Sequence, residues 1–106
     1  MIDIAEIKLL CSKGMLRWTN HVFVRLVQRD ISTADVVCAL ENGEIIEQYP
    51  ADYPYPSCLV LGIALNKSAV HVVCGLGKDE LWLITAYYPN PVEWTDDFKF
   101  RKENNA

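Results

Sequence analysis

No run of apolar residues in this sequence is long enough to cross a bilayer. The longest, Cys58–Leu65, spans eight residues, whereas a membrane helix needs ~20. Histidine is scarce, with one at 21 and one at 71, and the four cysteines at 11, 38, 58 and 74 never form a Cys-x-x-Cys pair. Zinc-ligand spacing therefore cannot be assembled from near neighbours, and neither a metal site nor a cofactor is expected. A disulfide framework is not expected either, because three of the cysteines fall inside strongly apolar segments and read as small core hydrophobes, free thiols of a reducing compartment. Asp3 and Glu6 stand where a secretion signal would be basic and then continuously apolar. These absences point to a soluble cytoplasmic protein with no membrane partner.

Positive charge is missing from the middle of the chain. Residues 30–57 hold six acids and no Lys or Arg, whereas residues 1–29 hold five Lys/Arg against two acids. The overall charge of −4 excludes a broad basic face of the kind a nucleic-acid coat protein carries, but the N-terminal third leaves room for one local anion site.

What is present fits one domain covering residues 1–106. The chain is 51% hydrophobic with eleven aromatics spread along it, which excludes disorder. A chain of this size buries somewhere between ~60% and ~70% of its unfolded surface, enough for one core. Asp3 caps a first helix, with Ile4, Ile7, Leu10 and Cys11 on one side and Gly14 ending it. Met15–Trp18 reads as a short strand or extended link. Asn20 caps a second helix reaching about Arg29. Ser32-Thr-Ala-Asp35 has capping-box spacing and starts a third, which Asn42-Gly43 ends. From Glu44 the period becomes two. Glu44–Tyr49, Cys58–Leu65, Ala69–Gly75 and Glu80–Tyr88 read as strands, the last three joined by links short enough for hairpins. A Pro-Asn-Pro turn and a short helix with Trp94, Phe98 and Phe100 close the chain. The expected fold is α+β, about four antiparallel strands with the N-terminal helices packed on one face and the other face open. Phe23, Leu26, Val36, Leu40, Leu61 and Val72 are expected in the core.

The second helix carries the densest chemistry. At ~100° per residue, His21, Arg25, Gln28 and Arg29 share a polar arc opposite Val22, Phe23, Leu26 and Val27. Two guanidiniums at i and i+4 can hold a phosphate, and an imidazole one turn away can move a proton. A merely solvated helix face is the competing reading. His71 stands in a strand of Ala, Val and Cys, as either a satisfied core histidine or a catalytic one. Alternation puts it with Ala69 and Val73, and in the next strand groups Thr85 and Tyr87 with Leu81 and Leu83. Tyr49, Tyr53 and Tyr55 sit on a proline-rich loop, where they can stack bases, dock a partner or fold back over the core.

Taken in order, several segments resemble a bacterial domain-of-unknown-function family of the RelE/ParE-like toxin superfamily. They are Arg17-Trp-Thr-Asn-His21, Arg25, Arg29-Asp-Ile-Ser32, Glu41-Asn-Gly43, Ile46-Glu-Gln-Tyr-Pro50, Pro54-Tyr-Pro-Ser57, Leu59-Val-Leu-Gly62, His71-Val-Val73, Ile84-Thr-Ala-Tyr-Tyr-Pro89 and Trp94. The resemblance covers about residues 15–100. It implies a RelE-like sheet, metal-independent RNA cleavage as part of a type II toxin–antitoxin system, and a small cognate antitoxin of a kind often bearing a zinc-finger segment. It places the family's helix His and Arg on His21, Arg25 and Arg29, its strand His on His71, and its last-strand pair on Thr85 and Tyr87.

The resulting expectation is an endoribonuclease using 2′-hydroxyl attack. His21 and His71 serve as acid and base, Arg25 and Arg29 hold phosphate, Tyr87 orients or protonates, and Gln28, Thr85 and Tyr49 contact substrate. A non-catalytic protein-interaction module on the same fold, and a ParE-like gyrase inhibitor, are the alternatives. The acidic balance of the chain departs from the basic character usual among RNA-cleaving toxins.

Overall fold

The computed structural model describes residues 1–103. Three helices, α1 (Ile4–Ser12), α2 (Asn20–Gln28) and α3 (Thr33–Asn42), are combined with five strands, β1 (Leu16–Trp18), β2 (Glu44–Tyr49), β3 (Ser57–Ile63), β4 (Ala69–Leu76) and β5 (Leu81–Tyr87). The strands form one open sheet in the order β1-β5-β4-β3-β2. The fold class is α+β, as the period change at Glu44 indicates. No helix among the described residues is long and apolar enough to cross a membrane.

The helices begin where local chemistry lets them. Asp3 accepts a hydrogen bond from the Ala5 N–H and starts α1. The cap of α2 is Thr19, whose hydroxyl accepts from the Val22 N–H at 3.2 Å; Asn20, the expected cap, is already helical. α3 opens on a full capping box. Ser32 Oγ accepts from the Asp35 N–H at 2.9 Å and Asp35 Oδ2 from the Ser32 N–H at 3.0 Å. Asp35 Oδ1 also accepts from the Leu65 N–H, which ties the helix to the β3–β4 hairpin.

All three helices lie on one face of the sheet. Ile7, Val22, Leu26, Val36 and Leu40 pack with Val60, Val70, Val72, Leu81 and Leu83 in a single apolar cluster. α3 crosses β3 at backbone contact, because a Cβ on Gly62 would stand 2.0 Å from the Ala39 carbonyl oxygen. Only glycine fits there.

Besides the α2 cap, four features differ from expectation. First, the sheet has five strands, since β1 pairs parallel to β5, with Leu16, Arg17 and Trp18 opposite Leu81, Trp82 and Leu83. Its other pairings are antiparallel. Second, Phe23 is 44% exposed, because its ring stacks on Trp18 at 6.0 Å instead of entering the core. Third, a register shift pairs Val73 with Thr85 but Cys74 with Leu83. Ile84 is the extra residue, so Leu81 and Leu83 face the helices while Thr85 and Tyr87 face the other way.

Fourth, the tail forms turns and an isolated bridge between Trp94 and Arg101, not a helix. Phe98 has φ 60°, and the Thr95 N–H donates to the Phe100 carbonyl across the turn. The second face of the sheet is therefore only partly open. The tail lies over Leu59 and His71, held by Lys99 on Glu44 at 3.0 Å and by Arg101 on Glu47 at 3.0 and 3.1 Å.

Candidate functional site

Register arranges the tail-side face in rows. Tyr49, Ser57, Gly75 and Trp82 lie side by side across β2 to β5, followed by Glu47, Leu59, Val73 and Thr85, and then by Leu61, His71 and Tyr87. Successive rows are roughly 7 Å apart along the strands.

The last row holds the imidazole. His71 is fully buried, its ring set edge-on to Trp94 at 4.4 Å and to Tyr87 at 5.3 Å. Its Nε2 lies 2.9 Å from the Phe98 carbonyl oxygen and its Nδ1 3.3 Å from the Tyr87 hydroxyl. A carbonyl can only accept, so Nε2 carries the proton and Nδ1 accepts from Tyr87. Burial pushes the imidazole below its usual pKa, and the same burial pushes the Tyr87 phenol up. The pair rests as a neutral phenol beside a neutral imidazole.

Arg29 reaches this pair from the helix side. It ends α2, and Asp30 follows in the left-handed region at φ 56°. The Ile31 N–H donates to the Leu26 carbonyl at 2.9 Å and the Asp30 N–H to the Val27 carbonyl at 3.3 Å, the paired bonds of a Schellman ending. That ending aims the Arg29 guanidinium at the part of β5 beyond Leu83, which β1 leaves unpaired. Nη1 donates to Thr85 Oγ1 at 3.0 Å and to the Ala86 carbonyl at 2.8 Å, and the guanidinium carbon lies 6.0 Å from the centre of the Tyr87 ring. Nε and Nη2 make no hydrogen bond to the described residues and remain available to an anion.

Arg29, Thr85, Tyr87 and His71 are thus brought together. His21, Arg25 and Gln28 are exposed on α2, and His21 and Arg25 make no side-chain hydrogen bond to another described residue. At i, i+4 and i+8, His21, Arg25 and Arg29 form one stripe along α2 that leads to the Tyr87 end of β5. The two histidines do not meet, because α2 packs on the helix side of the sheet and His71 faces the tail. Their pairing as acid and base is incompatible with this geometry. Tyr49 is half-buried at the far edge, its hydroxyl on Glu47 and its pKa pushed up to about 12 by burial and by that carboxylate. Burial also raises Glu47, but the hydrogen bonds from Arg101 and Tyr49 outweigh it and hold the carboxyl below its usual range. Arg101 and Trp94 complete this cluster, with the guanidinium 4.7 Å from the indole centre. Arg101 carried no signal in the sequence beyond being a base far from the acids it meets. Among the described residues, no group of three or more His, Cys, Asp or Glu side chains is placed to hold a metal ion.

A family model described as "Domain of unknown function (DUF4258)" matches residues 18–88. The chain belongs to this family. The matched stretch of this DUF4258 protein contains α2 through β5 and every residue of the Arg29–Thr85–Tyr87–His71 array. α1 and the tail that covers His71 lie outside it. No curated protein and no solved structure was found to match the chain.

Proposed function

We propose that this protein is a cytoplasmic RelE/ParE-like toxin that cleaves single-stranded RNA without a metal and is neutralised by a small, zinc-finger-bearing antitoxin. The observation that carries this reading is the array in which Arg29 donates to Thr85 and lies 6.0 Å from the centre of the Tyr87 ring, while the Tyr87 hydroxyl meets His71, so that a cation, a hydroxyl, a phenol and a proton acceptor stand side by side. Metal-free phosphodiester cleavage asks for these groups.

The reaction runs as an internal displacement. The RNA 2′-oxygen attacks the adjacent phosphorus and gives its proton to the Tyr87 oxygen, while the phenol proton passes to His71 Nδ1. The free N–H groups of Arg29 hold the dianionic phosphorane. The bond to the 5′-oxygen then breaks, and that oxygen takes a proton from water, leaving a 2′,3′-cyclic phosphate and a 5′-hydroxyl. The imidazolium returns its proton through Tyr87 to solvent. His71 has no exposed surface, so it acts through Tyr87 as a positioning and proton-holding residue. Arg25 and His21 sit where neighbouring phosphates pass along the stripe. Few positive charges are needed, because a single local anion site serves the chemistry.

The test is incubation of purified protein with single-stranded RNA in excess EDTA. Fragments ending in cyclic phosphate and 5′-hydroxyl are expected. Uncut RNA, or cutting that appears only on adding a divalent ion, would overturn the reading. A protein-interaction module is the second reading, favoured by the apolar side chains that α2 leaves exposed, with Val27 81% accessible beside Phe23 and Val24. It is the reading left standing if RNA is untouched. Gyrase inhibition has no such observation behind it.

A further inference from the structure

A second concave site lies on the same face as Tyr87, two rows along the sheet. It is a pocket of about 270 Å³ enclosed by Asp52, Tyr53, Tyr55, Gly75, Trp82 and Ile84. Tyr55 stacks on Trp82 with ring centres 6.2 Å apart and planes 27° apart, and the Arg17 guanidinium carbon lies 5.9 Å from the Trp82 ring. Arg17 is itself fixed by Glu80. Gly77 leaves no room for a Cβ beneath the indole, whose Nε1 would stand 2.9 Å from it, so Trp82 is held in place. Gly75 forms the floor, and Tyr53, 95% exposed, stands at the rim. Among the described residues that line the pocket, Asp52 is the only charged group. One of its oxygens accepts from Ser57 Oγ, and the other makes no hydrogen bond to the described residues.

Flat aromatic walls with one carboxylate oxygen to spare suit a planar ring that presents N–H donors on its edge. Among nucleobases, guanine presents two adjacent donor groups, N1–H and the 2-amino group, and the two lone pairs of the spare Asp52 oxygen can accept from both. Adenine and cytosine offer only an amino group beside an acceptor, and uracil a lone N–H between two carbonyls. The Trp82 row is separated from Thr85 by the roughly 7 Å of one row step, the order of one nucleotide along an extended strand. Resting on the RNA-cleaving reading above, we infer that this pocket binds a guanine base one nucleotide from the phosphate held by Arg29. Stacking on Trp82 and the tyrosines supplies affinity, and Asp52 supplies the choice of base.

Binding and cleavage are measured separately. Guanosine 5′-monophosphate, titrated into the full chain and followed by calorimetry, should bind at least ~10-fold more tightly than the adenosine, cytidine and uridine monophosphates, on the scale of one charge-assisted hydrogen bond. Tyr53→Ala, at a side chain almost wholly in solvent, should weaken that binding severalfold, and Trp82→Ala on the order of 10-fold or more. Asp52→Asn, which can still accept from Ser57, should abolish the preference for guanine. Equal binding of all four nucleotides, no binding at all, or a preference unchanged by Asp52→Asn would overturn the inference even if RNA is cleaved. Selective binding lost in these variants supports it even if RNA is left intact, an outcome that would instead count against the cleavage reading.

Discussion

His71 Nε2 donates to the Phe98 carbonyl at 2.9 Å, joining the fourth strand to the tail through a ring with no exposed surface. That single bond fixes the tautomer, leaves Nδ1 as the acceptor for Tyr87, and makes the tail part of the site's support. It also makes the fold sensitive to protonation of this ring. An imidazolium would carry a second N–H toward the phenol oxygen and a charge into the space between Trp94 and Tyr87.

Stability should therefore fall as pH drops below about 6.5. Burial lowers the folded-state pKa of His71 below that ordinary value, so the unfolded chain takes up the proton first. The neutral-ring contribution is complete above the unfolded pKa and is lost as pH falls from there toward the lowered folded value. Glu47 and Asp35 are shifted down as carboxylates, so their contribution disappears only at more acidic pH, below the usual carboxylate range. Urea denaturation at pH 7.5, 6.5 and 5.5 checks this. The decline should be absent in His71→Gln, whereas a decline that persists there must come from another group.

Gly62→Ala should destabilise the protein by about 3 kcal/mol, because the new methyl meets the Ala39 backbone and cannot be relieved by a rotamer change. α3 would have to lift from β3. Chemical denaturation measures the loss, and a change under ~1 kcal/mol would mean that the helix rides higher over the sheet than described.

How legible each part was depended on how locally it is determined. The α3 cap could be read because Ser32 and Asp35 satisfy each other within one turn. His71 shared a face with Val73, as strict alternation requires, because β4 runs without an extra residue from Val70 to Val73. The grouping of Thr85 and Tyr87 with Leu81 and Leu83 failed at Ile84, since a bulge is decided by the partner strand and not by the bulged sequence. β1 was visible as an extended piece, but its parallel pairing joins residues about sixty-five positions apart. For the site, the helix stripe and the strand residues were both visible. The reach of Arg29 around the β5 edge depends on the Schellman ending, and the burial of His71 depends on a tail whose aromatic spacing suggested a helix that Phe98 cannot join.

Asp30→Gly should raise stability by roughly 0.5–1 kcal/mol, since Asp30 pays a steric cost at φ 56° that glycine does not. Its side chain makes no hydrogen bond to the described residues, and the Tyr88 hydroxyl holds only its carbonyl, which glycine keeps. Thermal melting should move up by a few degrees. No rise, or a fall, would show that the carboxylate contributes to the α2 ending.

Arg29→Ala should lower RNA cleavage by ~100-fold or more, the usual cost of losing one donor to a developing anion. Arg29→Lys should not restore it. A single ammonium cannot hold Thr85 and the Ala86 carbonyl while also presenting a planar pair of N–H groups to phosphate. Tyr87→Phe keeps the ring against His71 and Arg29 but removes the proton carrier, so a comparable loss is expected, together with about 1–3 kcal/mol of stability because His71 Nδ1 is left buried without its donor. Arg25→Ala and His21→Ala, further along the exposed stripe, should cost ~10-fold or less and weaken substrate binding rather than the chemical step. Single-turnover rates at saturating RNA separate these effects. If Arg25→Ala slows the chemical step as much as Arg29→Ala does, the reacting phosphate sits a turn further up α2 than the Tyr87 hydroxyl, and Tyr87 loses its role as proton carrier.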